Sequence, residues 1–139
     1  MPSFGITSQK HLDSCHPDII KVFNVVITHV DCTILEGHRT MDRQREYFRA
    51  GQSKLDPDTP AGLKAAKHLS SPSKAVDALP YPIDWEDLKR IAWFAGFVCA
   101  VGRSLDPPVI LMSGCNWDRD LTKLNSTGGF FDSPHYELV

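Results

Sequence analysis

Several features are scarce in this chain, and each absence removes a class of function. No stretch reaches the ~18 apolar residues of a membrane span, so no integral membrane segment is expected. The opening Met1-Pro2-Ser3-Phe4-Gly5 lacks the basic and apolar regions of an export signal, which makes a cytoplasm the expected place of synthesis. An excess of one charge is also missing. The 15 basic and 17 acidic side chains are scattered and leave a net charge of -2, without the electrostatic footprint of a nucleic-acid partner. Four cysteines, Cys15, Cys32, Cys99 and Cys115, stand far apart with no C-x-x-C pair, which excludes a zinc ribbon and a small disulfide scaffold. They read as small buried residues, Cys115 included despite its closeness to Trp117. Internal repeats and low-complexity segments are lacking too.

What remains is an ordinary globular composition, 42% hydrophobic and 23% charged, in a length that suits one domain over residues 1–139 without a separate binding module. A short helix is expected from Ser8 to Leu12. A second, with Pro17 at its first position, runs to about Val30, its residues Ile19, Val22, Phe23, Val26 and Val30 at helical spacing. Thr33 to Leu35 reads as a strand ending at Gly37, Met41 to Ala50 as a helix stopped by Gly51, and 52–67 as a loop bordering the cleft. Ala75 to Leu79 alternates as a strand, and a long helix capped by Asp84 or Asp87 carries Trp85, Leu88, Ile91, Ala95 and Val98 to about Asp106. Val109 to Met112 and His135 to Val139 complete the strands, with a long loop at 113–133 between them. Helices set before and between a few short strands predict an α+β fold: a small antiparallel sheet with helices packed on it.

The chemistry concentrates in four residues. His68, Asp77 and His135 together make a donor set for a catalytic zinc, two imidazoles and one carboxylate that leave a coordination position open for water. Asp132, three positions before His135, is a carboxylate suited to proton transfer. Each has a plainer reading alone. Asp77 is then a strand-end acid, Asp132 a loop cap, and Arg39 one half of a surface ion pair. His11, His16, His29 and His38 read as structural or solvated. Trp85, Trp93 and Trp117 are able to stack on sugar rings, but the core is the expected place for large aromatics. Asp118-Arg-Asp120 resembles the start of a calcium loop, yet Lys123 stands where glycine is required and Gly129 where the bidentate glutamate belongs.

Longer motifs carry a resemblance. His68-Leu-Ser-Ser-Pro-Ser-Lys-Ala-Val-Asp77, Pro80-Tyr-Pro-Ile-Asp-Trp85 and Asp132-Ser-Pro-His135-Tyr-Glu-Leu resemble the phage endolysins that act as L-alanyl-D-glutamate peptidases, zinc enzymes related to D-alanyl-D-alanine carboxypeptidases and to the vancomycin-resistance D,D-dipeptidases. Ser8 with Leu12, His16-Pro17-Asp18, and Gly37-His-Arg39-Thr40 with Gln44 extend it over nearly the whole chain. The chain departs from the family pattern in three places. Its spacing from His68 to Asp77 is longer than in many relatives, which predicts a loop bulge. Ala66 replaces a common serine, and Ser113-Gly114-Cys115-Asn116-Trp117 replaces a Trp-Gly-Gly-Asp-Trp pattern.

The resemblance implies Zn²⁺ held by His68, Asp77 and His135, Asp132 as general base and then acid, and Arg39 beside the scissile carbonyl as an oxyanion donor. It implies peptidoglycan stem peptides as substrate, cleavage between L-Ala and D-Glu, and lysis of a host. A monomer is expected, made in the host cytoplasm and reaching the wall through a membrane lesion made by another phage protein. Two other functions share these residues: a D,D-carboxypeptidase on the same metal site, and a wall-peptide-binding module that holds metal without cutting.

Overall fold

The computed structural model describes residues 2–117 and 132–139. The calcium-loop reading at 118–129 and most of the expected 113–133 loop lie outside the described residues. Four strands form one antiparallel sheet in the order β1-β2-β4-β3, with β1 at Cys32–Glu36, β2 at Ala75–Pro80, β3 at Leu111–Ser113 and β4 at His135–Leu138. The described helices are α1 (Ile6–Asp13), α2 (Pro17–His29), α3 (Met41–Arg49), α4 (Pro60–Ala65) and α5 (Leu88–Ser104). The α+β architecture expected from the sequence is what the chain adopts.

The two long helices bury the stripes their spacing announces, Ile19, Val22, Phe23, Val26 and Ile27 on α2 against Ile91, Phe94, Ala95, Val98 and Val101 on α5. Tyr136 of β4 reaches into this core, with Phe23 and Phe94 set edge-on at 5.9 and 6.5 Å. Side chains alternate across a strand. Val76 and Tyr136, paired in register, therefore enter the core, while Asp77 and His135, also paired, emerge on the opposite face. A bulge between Ile34 and Glu36 sets Glu36 opposite Asp77, a re-aiming common beside functional sites.

The sequence expectation fails in three places, each for a local reason. Residues 52–67 contain α4, with Pro60 in its first turn and the Thr59 hydroxyl accepting a hydrogen bond from the Gly62 amide at 3.0 Å; at six residues it is too short to display an apolar period. The long helix begins only at Leu88, capped by Asp87, because the Asp84 carboxylate closes a separate turn by accepting from the Glu86 amide. Trp85 therefore stands before the helix. The third strand starts at Leu111 because the Val109 amide is taken by the carbonyl of Gly102 at 2.8 Å.

Candidate metal centre

His68, Asp77 and His135 each present a donor atom, and these atoms all lie within 4.8 Å of one another, an arrangement that can hold a metal ion. The sheet register supplies two of them by pairing Asp77 directly with His135. His68 arrives on the 3-10 turn Lys67–Leu69, which the turn after β1 pins by donating from the Arg39 amide to the His68 carbonyl at 2.8 Å. In the stretch between His68 and Asp77, Ser73 docks on the α1–α2 junction, its amide donating to the Ser14 carbonyl and its own carbonyl accepting from the His16 amide.

Each imidazole turns one nitrogen toward Asp77 and anchors the other. His68 places Nε2 at 3.1 Å from Asp77 Oδ1 and Nδ1 at 2.7 Å from the Gly37 carbonyl. His135 places Nδ1 at 3.3 Å from the same carboxylate oxygen and Nε2 at 3.0 Å from Glu137 Oε1. A ligating histidine needs such an outer acceptor to fix its tautomer and direction. Glu137, two residues beyond His135 on the same strand face, was not among the residues singled out from sequence; period-two spacing on the last strand is the signal that points to it.

The electrostatics of the metal-free cluster follow from this crowding. Burial alone favours a neutral Asp77, but hydrogen bonds from His135 and His68 hold its carboxyl well below the usual carboxylate range. Burial likewise opposes charge on His135, yet its bonds to Asp77 and Glu137 prevail and push the imidazole up to about 9. Asp132 lies with Oδ2 4.0 Å from His135 Nδ1, and burial raises its carboxyl above the ordinary value, although His135 offsets part of the effect.

Arg39 borders the group, with Nη2 3.8 Å from Asp77 Oδ2. Its guanidinium is paired with Glu36, donates to the fully buried Gln44 at 2.8 Å and stacks 4.5 Å over the Tyr47 ring. Gln44 in turn donates to Ser53 and to the Leu55 carbonyl, which ties the arginine to the segment lining the cleft. That cleft has a volume of about 850 Å³ and is bordered by the three candidate ligands, Arg39, Asp132, Trp85 and Trp117.

The other candidates fall away from the centre. His16 caps α2 by accepting from the Asp18 amide, His38 contacts the Ser70 carbonyl, and His29 packs against the Phe97 ring. Burial pushes the Cys15 and Cys32 thiols up to about 12, and Cys115 is buried against the Ser133 carbonyl. The expected core placement of Trp85 and Trp93 is wrong, since they are 54% and 59% exposed. Trp85 loses its helical face to the late start of α5, and Trp93 lies outward on α5, stacked on Phe97. Trp117 is half-buried with its ring 5.4 Å from that of His135.

Residues 2–139 match the family described as phage L-alanyl-D-glutamate peptidase. Among solved structures the chain is similar to the L-Ala D-Glu endopeptidase ChiX of Serratia marcescens, with 28% identity and a TM-score of 0.71 over 98% of this chain and 89% of that one. No curated protein matches the chain.

Proposed function

This chain belongs to the phage L-alanyl-D-glutamate peptidase family, and on that premise we propose that it is a zinc endopeptidase that cuts the L-Ala–D-Glu bond of peptidoglycan stem peptides. The observation that carries this reading is the meeting of His68, Asp77 and His135 at a cleft, with the outer nitrogen of each imidazole already held by an acceptor. Two nitrogens and one carboxylate oxygen suit zinc, and three protein ligands are the number a catalytic zinc site uses. When bound, zinc supplies Lewis-acid activation of water and of the scissile carbonyl.

The chain's own residues divide the remaining work. Asp132, whose carboxyl is raised above its ordinary value by burial, takes the proton of the attacking water and delivers it to the departing amine of D-glutamate. Arg39 sets Nη2 3.8 Å from Asp77 Oδ2, where its planar fork offers donors to the oxyanion that develops in the transition state. Glu36, Gln44 and Tyr47 hold that fork in place. We place the activity at the host cell wall, reached from the cytoplasm through a lesion made by another protein.

Mass spectrometry of muropeptides digested by the zinc-loaded protein tests the reading. The expected products are a muramyl-L-alanine fragment and a peptide with a new D-glutamyl amino terminus. Release of terminal D-alanine instead makes the protein a D,D-carboxypeptidase, and no new amino terminus at all leaves a binding module.

A further inference from the structure

Trp85 borders the same cleft as the candidate ligands, yet more than half of it faces solvent, and among the described residues no aromatic ring packs on it. The backbone beneath it is firmly tied. Asp84 accepts from the Glu86 amide at 3.0 Å, Arg90 donates to the carbonyls of Tyr81 and Pro82, and Asp87 caps α5. An indole is a large apolar surface to leave in water, and a fastened turn that presents one at a cleft rim is built like a platform for a ligand ring.

The peptidase reading supplies a ring of the right kind. In peptidoglycan, L-alanine is amide-linked to the lactyl group of an N-acylated hexosamine, so the sugar sits about two residue lengths, roughly 7 Å, from the scissile carbonyl. A substrate whose carbonyl reaches His68, Asp77 and His135 therefore carries its pyranose close by, and Trp85 lines the same cleft as those three residues. One face of a pyranose is a sheet of C–H groups, which matches the electron-rich face of an indole. The other tryptophans are placed differently: Trp117 lies with its ring 5.4 Å from that of His135, a candidate ligand, and Trp93 is stacked on Phe97 and does not border the cleft.

We propose that Trp85 is the stacking platform for the hexosamine on the L-alanine side of the cut bond, a subsite that rests on the peptidase reading above. The enzyme then recognises glycan and peptide together, with Trp85 as a specificity-determining residue.

The test compares kcat/KM on a muramyl peptide with that on the same peptide lacking the sugar, for wild type, Trp85→Ala and Trp85→Phe. The wild type should prefer the sugar-bearing substrate by about tenfold, the effect of covering one ring face. Trp85→Ala should lose that preference through a higher KM, and Trp85→Phe should keep part of it. A preference absent from the wild type, or undiminished in Trp85→Ala, overturns the platform. Should the wild type cut neither substrate, the peptidase reading fails, and titration with muramyl-L-alanine decides the subsite separately. Binding about tenfold weaker to Trp85→Ala upholds it, and equal binding overturns it.

Discussion

Glu137 decides which nitrogen His135 offers. With Nε2 donating to the Glu137 carboxylate at 3.0 Å, Nδ1, which faces Asp77, is the nitrogen that gives up its proton when a metal takes its lone pair. Replacing Glu137 with Ala removes this constraint and leaves a buried N–H without its acceptor, and partners of this kind contribute about 10–100-fold to metal affinity. Chelator competition should show a zinc affinity lower by that factor for Glu137→Ala and a smaller loss for Glu137→Gln, which retains an acceptor oxygen. Unchanged affinity in both variants would remove Glu137 from the site. Asp132 calls for a different signature. Asp132→Asn keeps the size and loses the proton acceptor, so turnover should fall by about 10²–10⁴-fold while zinc content stays near one per chain; a variant that turns over normally would free Asp132 of the role. At this scale the grouping of the three candidate ligands was legible because histidine and aspartate announce their chemistry by type. The roles of Glu137 and Glu36 were not, because an acid becomes informative only once its partner is known, and Gln44 was legible as a motif residue without its bond to Arg39.

Short elements place these residues, and small residues let the elements approach. Gly114, just after β3, donates its amide to the His135 carbonyl at 2.7 Å and accepts from the Asp132 amide at 3.1 Å, clasping the turn that carries both. A Cβ at this position would run into the Asp132 carbonyl oxygen. Gly114→Ala must therefore shift that turn, and misplacing a reacting group by about 1 Å costs on the order of 10²-fold in rate. Kinetics beside zinc analysis should find a larger loss of turnover than of zinc, since His68 and Asp77 come from elsewhere; equal losses would mean that the turn moves as a block. Elements with a strong apolar period, α2 and α5, were readable in the sequence, and so was β2 from its alternation. The start of α5 was not, because Asp84 and Asp87 offer equally good caps and only the turn closed by Asp84 chooses between them. That choice moved Trp85 from expected core to cleft rim.

At the scale of the molecule, the centre joins parts that are distant in sequence: the turn after β1, the 3-10 turn, β2 and β4 all meet at three side chains. Such convergence is legible only as a resemblance of motifs, since no local period encodes it. On the zinc reading proposed above, it also makes the metal a clamp on the fold, and the proton its competitor. In the metal-free protein His135 is raised to about 9 from an ordinary value of about 6.5. A raised histidine stabilises the folded state fully below its unfolded pKa, and the contribution disappears as the pH climbs through the folded value. Asp77, being depressed, has the opposite sign, stabilising above about pH 4 and ceasing to do so as acid titrates the folded carboxyl. The metal-free protein should therefore be most stable between about pH 4 and 6.5 and weaken toward pH 9. Zinc must displace the His135 proton throughout that upper window, so its apparent affinity should rise about tenfold per pH unit from 6.5 to 9 and level off above. Melting temperatures with and without zinc, taken at half-unit intervals, should diverge across this range, and calorimetry in buffers of different ionisation enthalpy should find close to one proton released per ion at pH 7. A zinc-induced shift in melting temperature that is the same at pH 6.5 and pH 9 would mean that His135 is already neutral when the metal arrives, and the ion pair with Asp77 would then not be the state that zinc replaces.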